Sequence, residues 1–281
     1  MGSVIAPPLP IETPFGEPVP SVHLGRAPLE LVVAQVRFPQ VLGFDQPINM
    51  ARIAEFQDGV KGDYPFVQPE RQLAISFGPT NVSASPEGVT TYRFTNTDHP
   101  WEVTLSPNFM ALQTKGYTDR ADFLGRFQVL IEVLQRTFGL TKCERLGVRY
   151  SSRIAEPELF SRLVELVRPE ISAVPLAALT QEHDPLSVQR VHAVTDTLYS
   201  VSDMALRARW GVIPAGTTID LSLLPAPTES FLIDIDVFSA GPMDLDVEGI
   251  LAGLRRFSDA QYRYFRWMVT MEYLRAFGAE L

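Results

Sequence analysis

The sequence has a single cysteine, only three lysines and no long apolar run. Cys143 has no second cysteine to pair with, so an internal disulfide is excluded and a reducing compartment is expected. No window approaches the about 18 uninterrupted apolar residues of a membrane helix. The first 25 residues also lack the basic start and apolar core of a secretory signal. We therefore expect a cytoplasmic protein without a membrane association.

The common signatures of catalytic and cofactor sites are also missing. The chain contains no Gly-x-Ser-x-Gly elbow, no Walker-type phosphate loop and no Gly-x-Gly-x-x-Gly after a strand. None of the four histidines has metal-type spacing to another histidine or to Cys143. Cys143 precedes Glu144, whose charge would raise the pKa of the thiol. The sequence therefore predicts no cofactor and no metal, and it names no reaction.

The charge balance restricts the partners. A net charge of −9 argues against broad nucleic-acid binding, which needs a basic surface, although a local basic groove stays compatible with it. Of the 24 basic residues, 21 are arginines. A GC-rich coding bias explains this excess of arginine over lysine. Selection of arginine for the bidentate recognition of anions is the alternative.

The start of the chain is rich in proline. Residues 1–26 contain six prolines, a composition typical of an extended arm with little helix or strand. Two alternatives follow for this arm. It is a disordered terminus, or it docks on the body of the protein or in a partner's groove for proline-rich segments.

The middle of the chain holds the clearest strand. In 144–154, with the sequence ERLGVRYSSRI, alternate side chains point to opposite faces. Leu146, Val148, Tyr150 and Ile154 form one apolar face, which belongs in a core. The other face carries Arg145, Arg149 and Arg153, which need carboxylates, phosphates or water as partners.

RLGVRYSSRI resembles the central strand of a sporadically distributed, functionally uncharacterised bacterial family with a Gly-Leu-Arg-Tyr-Ile-Asn-Arg type signature. Segments 28–39 and 265–274 resemble the opening strand and final helix of that family. Ser151 and Ser152 stand where the family pattern has Ile-Asn. The resemblance implies a fold and a patchy occurrence, and it implies no reaction.

Periodicity and turn residues predict an alternation of strands and helices. Strands are predicted at 29–38, 72–77, 89–95, 101–106, 109–115, 144–154, 188–195, 205–212, 217–224 and 231–238. Helices are predicted at 48–60, 157–167 and 246–277, and from the Asp119 cap to Phe138 with Gly139 as the stop. Segment 172–187 is predicted to be a loop.

Each half of the chain thus has the order β, α, four β, long α. We expect an α+β protein with two such repeats, long helices packed on curved antiparallel sheets, in a topology like that of the TATA-binding protein or of helix-grip folds. The expected divisions are an arm at 1–26, a first repeat at 27–142 and a second at 143–281. This likeness is topological and carries no function.

Two acidic residues share a face of one predicted strand. Asp234 and Asp236 are two positions apart, which places their carboxylates roughly 7 Å apart. Ion pairing with arginines of neighbouring strands is the first interpretation. An anionic ligand held by Arg145, Arg149, Arg153, Asp234 and Asp236 is the second, and acid–base catalysis by the two aspartates or cation binding is the third.

The last predicted helix carries aromatic residues and arginines opposite its apolar stripe. Arg263, Arg266, Trp267 and Tyr273 are candidate interface residues, because aromatics and arginine are enriched at protein interfaces. An amphipathic helix covering the sheet edges explains the same pattern, and a groove for single-stranded nucleic acid is a weaker alternative.

These patterns support two hypotheses. The first is a non-enzymatic binding module with an unknown protein partner or a small anionic ligand, within an accessory system of the defence or toxin–immunity type. A homodimer is one form of this interaction. The second is an enzyme acting on an anionic or sugar substrate through Asp234, Asp236 and Arg149.

Overall fold

The computed structural model describes residues 11–71, 74–77, 82–85, 90–98, 100–172 and 192–279. The strands are β1 Leu29–Arg37, β2 Phe66–Arg71, β3 Ala74–Phe77, β4 Val82–Ser85, β5 Thr90–Thr95, β6 Trp101–Ser106, β7 Phe109–Thr114, β8 Lys142–Cys143, β9 Arg145–Ile154, β10 Ala193–Val201, β11 Met204–Ile213, β12 Ser230–Ser239 and β13 Met243–Asp244. The helices are α1 Pro47–Val60, α2 Arg120–Phe138, α3 Pro157–Phe160, α4 Leu163–Leu166, α5 Pro169–Ser172, α6 Val247–Met268 and α7 Met271–Ala276.

The fold is α+β, with a large antiparallel sheet and several helices, as predicted. The nine strands of this sheet follow the order β10-β11-β12-β9-β1-β7-β6-β5-β2, and the pairs β13-β8 and β3-β4 form two small sheets. In the described part of the chain α2 and α6 reach the length of a bilayer span, but no helix there qualifies as a transmembrane segment.

The chain divides into two compact units. Unit 1 comprises Met1–Leu31, Arg149–Val237 and Arg256–Leu281, and unit 2 comprises Val32–Val148 and Phe238–Arg255. The units do not follow sequence order, because β1, β9, β12 and α6 each contribute residues to both.

Unit 2 contains α1 and α2, and its core is rich in aromatic residues. Phe56 of α1 packs against Phe94 of β5, with ring centroids 5.5 Å apart. The α2 helix begins and ends as predicted. The Asp119 carboxylate accepts a hydrogen bond from the Asp122 amide, and Gly139 ends the helix at φ 65°.

Unit 1 contains the long strands β10 and β11, paired from Ala193↔Val212 to Val201↔Met204. Inward-facing side chains of β11 and β12, among them Leu206, Phe231 and Ile235, are fully buried or nearly so. Trp210 donates a hydrogen bond from Nε1 to the Ile171 carbonyl at 3.0 Å, which attaches the α5 turn to the sheet.

The predicted strand at 217–224 is wrong. Residues 214–229 form an irregular connection between β11 and β12. Prolines at 214, 225 and 227 restrict ladder formation, and the Asp220 carboxylate closes a local turn by accepting the Ser222 amide at 2.9 Å. The apolar alternation of this segment does not reflect burial, because Leu221 is 99% exposed.

Two predicted helices are broken. The predicted helix at 157–167 is two short helices, α3 and α4, and the predicted helix at 246–277 ends as α6 and resumes as α7. Val269, between α6 and α7, forms an isolated antiparallel bridge with Val167, which follows α4. The Thr270 amide donates to the Leu166 carbonyl at 2.9 Å, and the Thr270 side chain caps α7. Backbone pairing with the end of α4 therefore replaces helix hydrogen bonds at the break between α6 and α7.

The sequence did not predict the short strands β2, β4, β8 and β13. Most of the predicted loop at 172–187, the start of the predicted strand at 188–195, and His99 and His183 lie outside the described residues.

Two helical glycines give a matched test of the packing in unit 2. A Cβ on Gly59 of α1 would lie 2.7 Å from Val133 Cγ1 of α2, whereas a Cβ on Gly125 would meet nothing within 4 Å. We expect Gly125→Ala to raise the free energy of unfolding by about 0.5–1 kcal/mol. Gly59→Ala should lower it by about 1–3 kcal/mol because the two helices must separate. Urea denaturation measures both, and equal effects of the two substitutions would refute the packing argument.

Candidate functional site

A buried ion cluster in unit 1 joins three strands to the 214–229 connection. Its charged members are Arg149 of β9, Arg209 of β11, Asp234 of β12 and Asp220 of the connection. The two arginines and two aspartates balance in charge. Arg149 and Arg209 have side chains 17% and 18% exposed, and that of Asp234 is 3% exposed.

Asp234 is the centre of the ion cluster. Oδ1 accepts from Arg149 Nε at 2.6 Å and from Ser151 Oγ at 2.5 Å. Oδ2 accepts from Arg209 Nε at 2.9 Å and from Arg209 Nη2 at 2.6 Å. Both carboxylate oxygens are therefore occupied by donors, and guanidinium N–H groups supply three of the four bonds.

Asp220 brings the connection into the ion cluster. Its Oδ2 lies 2.9 Å from Arg149 Nη2 and 3.1 Å from Arg209 Nη2, while Oδ1 accepts from the Ser222 hydroxyl at 2.6 Å. The Arg149 contact is an ion pair without hydrogen-bond geometry, since that buried Nη2 has no hydrogen-bond acceptor among the described residues. Burial alone would raise the pKa of Asp220, but the hydrogen bonds from Ser222 and the charges of Arg149 and Arg209 hold the pKa well below its usual range.

The other predicted ligand-binding residues do not join the ion cluster. Arg153 is 4% exposed and donates from Nε to the Glu30 carboxylate at 2.9 Å. Arg145 belongs to unit 2, where its guanidinium lies 4.0 Å from the Phe238 ring centroid. Asp236 is half-buried, and its charge acts on Arg207, which pairs mainly with Asp196. The structure thus brings Arg149 and Asp234 together, and it pairs Arg153 with Glu30.

Sequence reasoning missed the serines of the ion cluster. Ser151 is fully buried, and it lies on the same strand face as Arg149 and Arg153, so strand alternation was the available signal. Ser222 follows Asp220 at the spacing of an Asx turn. That signal was obscured by the predicted strand at 217–224.

The predicted interface on the last helix is partly internal. Tyr273 is fully buried and Arg266 is 4% exposed, so neither side chain is exposed at the surface of this chain. Trp267 is half-buried, with the Arg168 guanidinium 5.8 Å from its ring centroid. Arg263 donates from Nη1 to the Glu17 carbonyl at 2.7 Å. The proline-rich arm therefore occupies part of the predicted interface.

No described group of three or more His, Cys, Asp and Glu residues is arranged to hold a metal ion. Cys143 is fully buried. Burial raises the pKa of its thiol to about 11, and the charge of Glu144 adds to the effect, as the sequence predicted. The thiol is therefore protonated at neutral pH and is a poor nucleophile.

No protein-family model matches the chain, and no curated protein matches it. A function for the site therefore has to be inferred from its geometry.

Removing the central charge tests the ion cluster. Asp234→Asn keeps the size of the side chain but leaves Arg149 and Arg209 without their main counter-charge. We expect the free energy of unfolding to fall by about 3–5 kcal/mol, the usual result of breaking a buried ion pair. Urea denaturation at pH 7 measures the loss. The matched control is Asp244→Asn, which removes an exposed pair with Lys142 and should change the value by less than about 1 kcal/mol.

The lowered pKa of Asp220 predicts a pH dependence of stability. An unfolded aspartate titrates near pH 3.9. Asp220 therefore makes its full contribution to the free energy of unfolding above about pH 5. This contribution is lost progressively as the pH falls below 4 toward the lower pKa of the folded state. Asp220→Asn should lower the free energy of unfolding by roughly 1–3 kcal/mol at pH 7, and the gap to the wild type should narrow at pH 3. A gap that stays constant from pH 7 to pH 3 would contradict the assigned titration.

Proposed function

We propose that the chain is a non-enzymatic binding module for a protein partner, with the connection 214–229 as its contact surface. The observation that carries this proposal is that the connection is held in place while some of its apolar side chains are exposed. Asp220 is held by the ion cluster, while the neighbouring leucine side chains are directed into solvent.

The exposed side chains of the connection are large and apolar. Leu221 is 99% exposed, Leu224 69% and Ile219 37%. Such side chains contribute the desolvated centre of protein interfaces, where charged residues are depleted. Leu223 of the same segment is buried at 3% exposure, which anchors the connection while its neighbours stay outside.

The ion cluster makes this surface suitable for binding because it restricts the connection before a partner arrives. Ordering a loop costs binding free energy, and a loop that is already held avoids much of that cost. The Asp220 carboxylate joins β9 and β11 through two arginines, and Ser222 packs into the same turn. The leucines are therefore presented on a fixed turn.

The alternative function, an enzyme acting on an anionic or sugar substrate, needs a carboxylate that exchanges a proton. Asp234 accepts four hydrogen bonds and is 2% exposed, which favours a structural role. Asp236 and Arg149 stay as the candidate residues of the enzyme hypothesis. Asp236→Asn would abolish turnover and keep the fold under that hypothesis.

The finer architecture is also a proposal. In each half the opening strand neighbours the last strand of the meander that follows, β1 beside β7 and β9 beside β12, which supports two β-α-meander-α repeats at 27–142 and 143–281.

Membership of the sporadic bacterial family, a cytoplasmic location and an accessory role in defence or toxin immunity stay predictions from the sequence.

The proposed surface predicts a specific loss of a partner. We expect native mass spectrometry of the protein, purified gently from the cells that produce it, to show a second polypeptide in fixed ratio, either another protein or a second copy. Leu221→Ser combined with Leu224→Ser should remove it. Leu42→Ser is the matched control, since Leu42 is 81% exposed but lies in unit 2.

Two results would refute the proposed function. One is a bare chain of 31.3 kDa in all three preparations. The other is a small molecule retained equally by all three, which would move the function to ligand binding or catalysis.

A further inference from the structure

The described part of the N-terminal arm, residues 11–26, follows the last two helices of unit 1. The Arg168 guanidinium donates to the Ile11 carbonyl, and Arg263 donates from Nη2 to the Thr13 carbonyl at 3.2 Å. Farther along, the Val22 amide donates to the Tyr262 hydroxyl at 2.7 Å. The Arg26 amide donates to the Phe277 carbonyl at 3.0 Å. The arm is therefore an extended peptide bound along α6 and α7.

Aromatic packing adds to these polar contacts. The Phe15 ring lies 5.1 Å from the Tyr199 ring and 5.7 Å from the Tyr264 ring, measured between centroids. Tyr264 is fully buried, so this side of the site is shielded from water, and burial raises the pKa of its hydroxyl. One aromatic side chain thus anchors the arm in an aromatic recess.

The arm contacts Arg168 and Arg263, which have no acidic partner among the described residues and which, together with the neighbouring Arg266 of α6, we call the arginine face. None of the three forms an ion pair with a carboxylate in the described ranges. Arg263 and Arg266 are three positions apart on α6, so they lie on the same side of the helix. The Nε atoms of both are buried and have no hydrogen-bond acceptor among the described residues.

The arm provides the arginine face only with neutral hydrogen-bond acceptors. Ile11, Thr13 and Glu17 accept through backbone carbonyls, and the Glu17 carboxylate makes no described ion pair. A hydrogen bond from guanidinium to carboxylate is roughly twice as strong as one to a neutral group. An extended segment that supplied carboxylates at these positions would therefore bind the arginine face more strongly than the arm does.

We infer that the arginine face is a docking site for an extended acidic segment of a partner protein, and that the arm occupies this site within the same chain. The inference does not depend on the connection 214–229, because the arginine face and the connection have no residue in common. A peptide fits better than a nucleic acid because the arm already shows the backbone spacing that the arginines recognise, with acceptors on Ile11 and Thr13.

Gly16 gives a way to loosen the arm without altering the arginine face. Its φ is +143°, and a Cβ there would lie 3.0 Å from Arg263 Nη2. A β-branched residue strains this backbone and pushes against the arginine contact. The test variant is Gly16→Val, and Phe15→Ala with Gly16→Val is a stronger second variant. Gly241→Val is the matched control, because a Cβ at Gly241 meets nothing within 4 Å.

The experiment uses the full chain and three fluorescent probes. These are an eight-residue peptide of alternating proline and glutamate, the same peptide with glutamine in place of glutamate, and an eight-nucleotide oligothymidylate. Hydrogen exchange over residues 11–26 reports release of the arm. We expect the loosened variants to exchange faster there and to bind the glutamate peptide about tenfold more tightly than the wild type and Gly241→Val. Adding Arg263→Gln should reverse the gain.

Several outcomes would overturn the inference. Unchanged exchange in the double variant would mean that the named contacts do not hold the arm. A released arm without binding of the glutamate peptide, or equal binding of the glutamine peptide, would remove the acidic segment as the occupant. Binding of oligothymidylate in place of the peptide would assign the face to nucleic acid. A dimer that appears on loosening would assign it to the arm of a second copy.

Discussion

Burial of Asp234 between two arginines is the constraint on which unit 1 depends. Taking these charges out of water costs several kcal/mol for each ion, and only near-complete pairing repays that cost. The carboxylate accepts from β9 and β11 while it lies on β12, so one side chain fixes the lateral positions of three strands. A strand that slipped by one residue would leave a buried guanidinium unpaired. The ion cluster therefore specifies register as well as contributing stability.

The same constraint extends from the sheet to the connection that follows β11. Asp220 completes the pairing of Arg149 and Arg209, so the connection folds onto the sheet as part of the charge balance rather than by apolar burial alone. This explains how a segment with exposed leucines keeps a defined turn. Under the proposed function, the exposed apolar side chains are available to a partner because the polar side chains attach the connection to the sheet.

The sequence predicted the elements whose local signals agree with their packing. The α2 helix has an Asp cap, a strong apolar stripe and a glycine stop, and the structure has all three. Sequence reasoning failed where long-range backbone pairing prevailed over local pattern, as in the break between α6 and α7 opposite Val167. For the site, strand alternation predicted that Asp234 pairs with arginines of neighbouring strands, and Arg149 was one of the candidates. It did not predict that Asp220 would arrive from an irregular connection, because no local periodicity encodes an ion pair between distant segments.

The arginines of unit 1 divide into two kinds according to their acceptors. Arg149, Arg153 and Arg209 donate to carboxylates, and their burial is consistent with a stable core. Arg168 and Arg263 donate to carbonyls of the arm, and Arg266 has no described acceptor for its buried Nε. Charged donors held by neutral acceptors form the weaker contact. Pairing with carboxylates within the fold therefore accounts for the first kind of arginine, and the second kind is the one that we propose as a docking site.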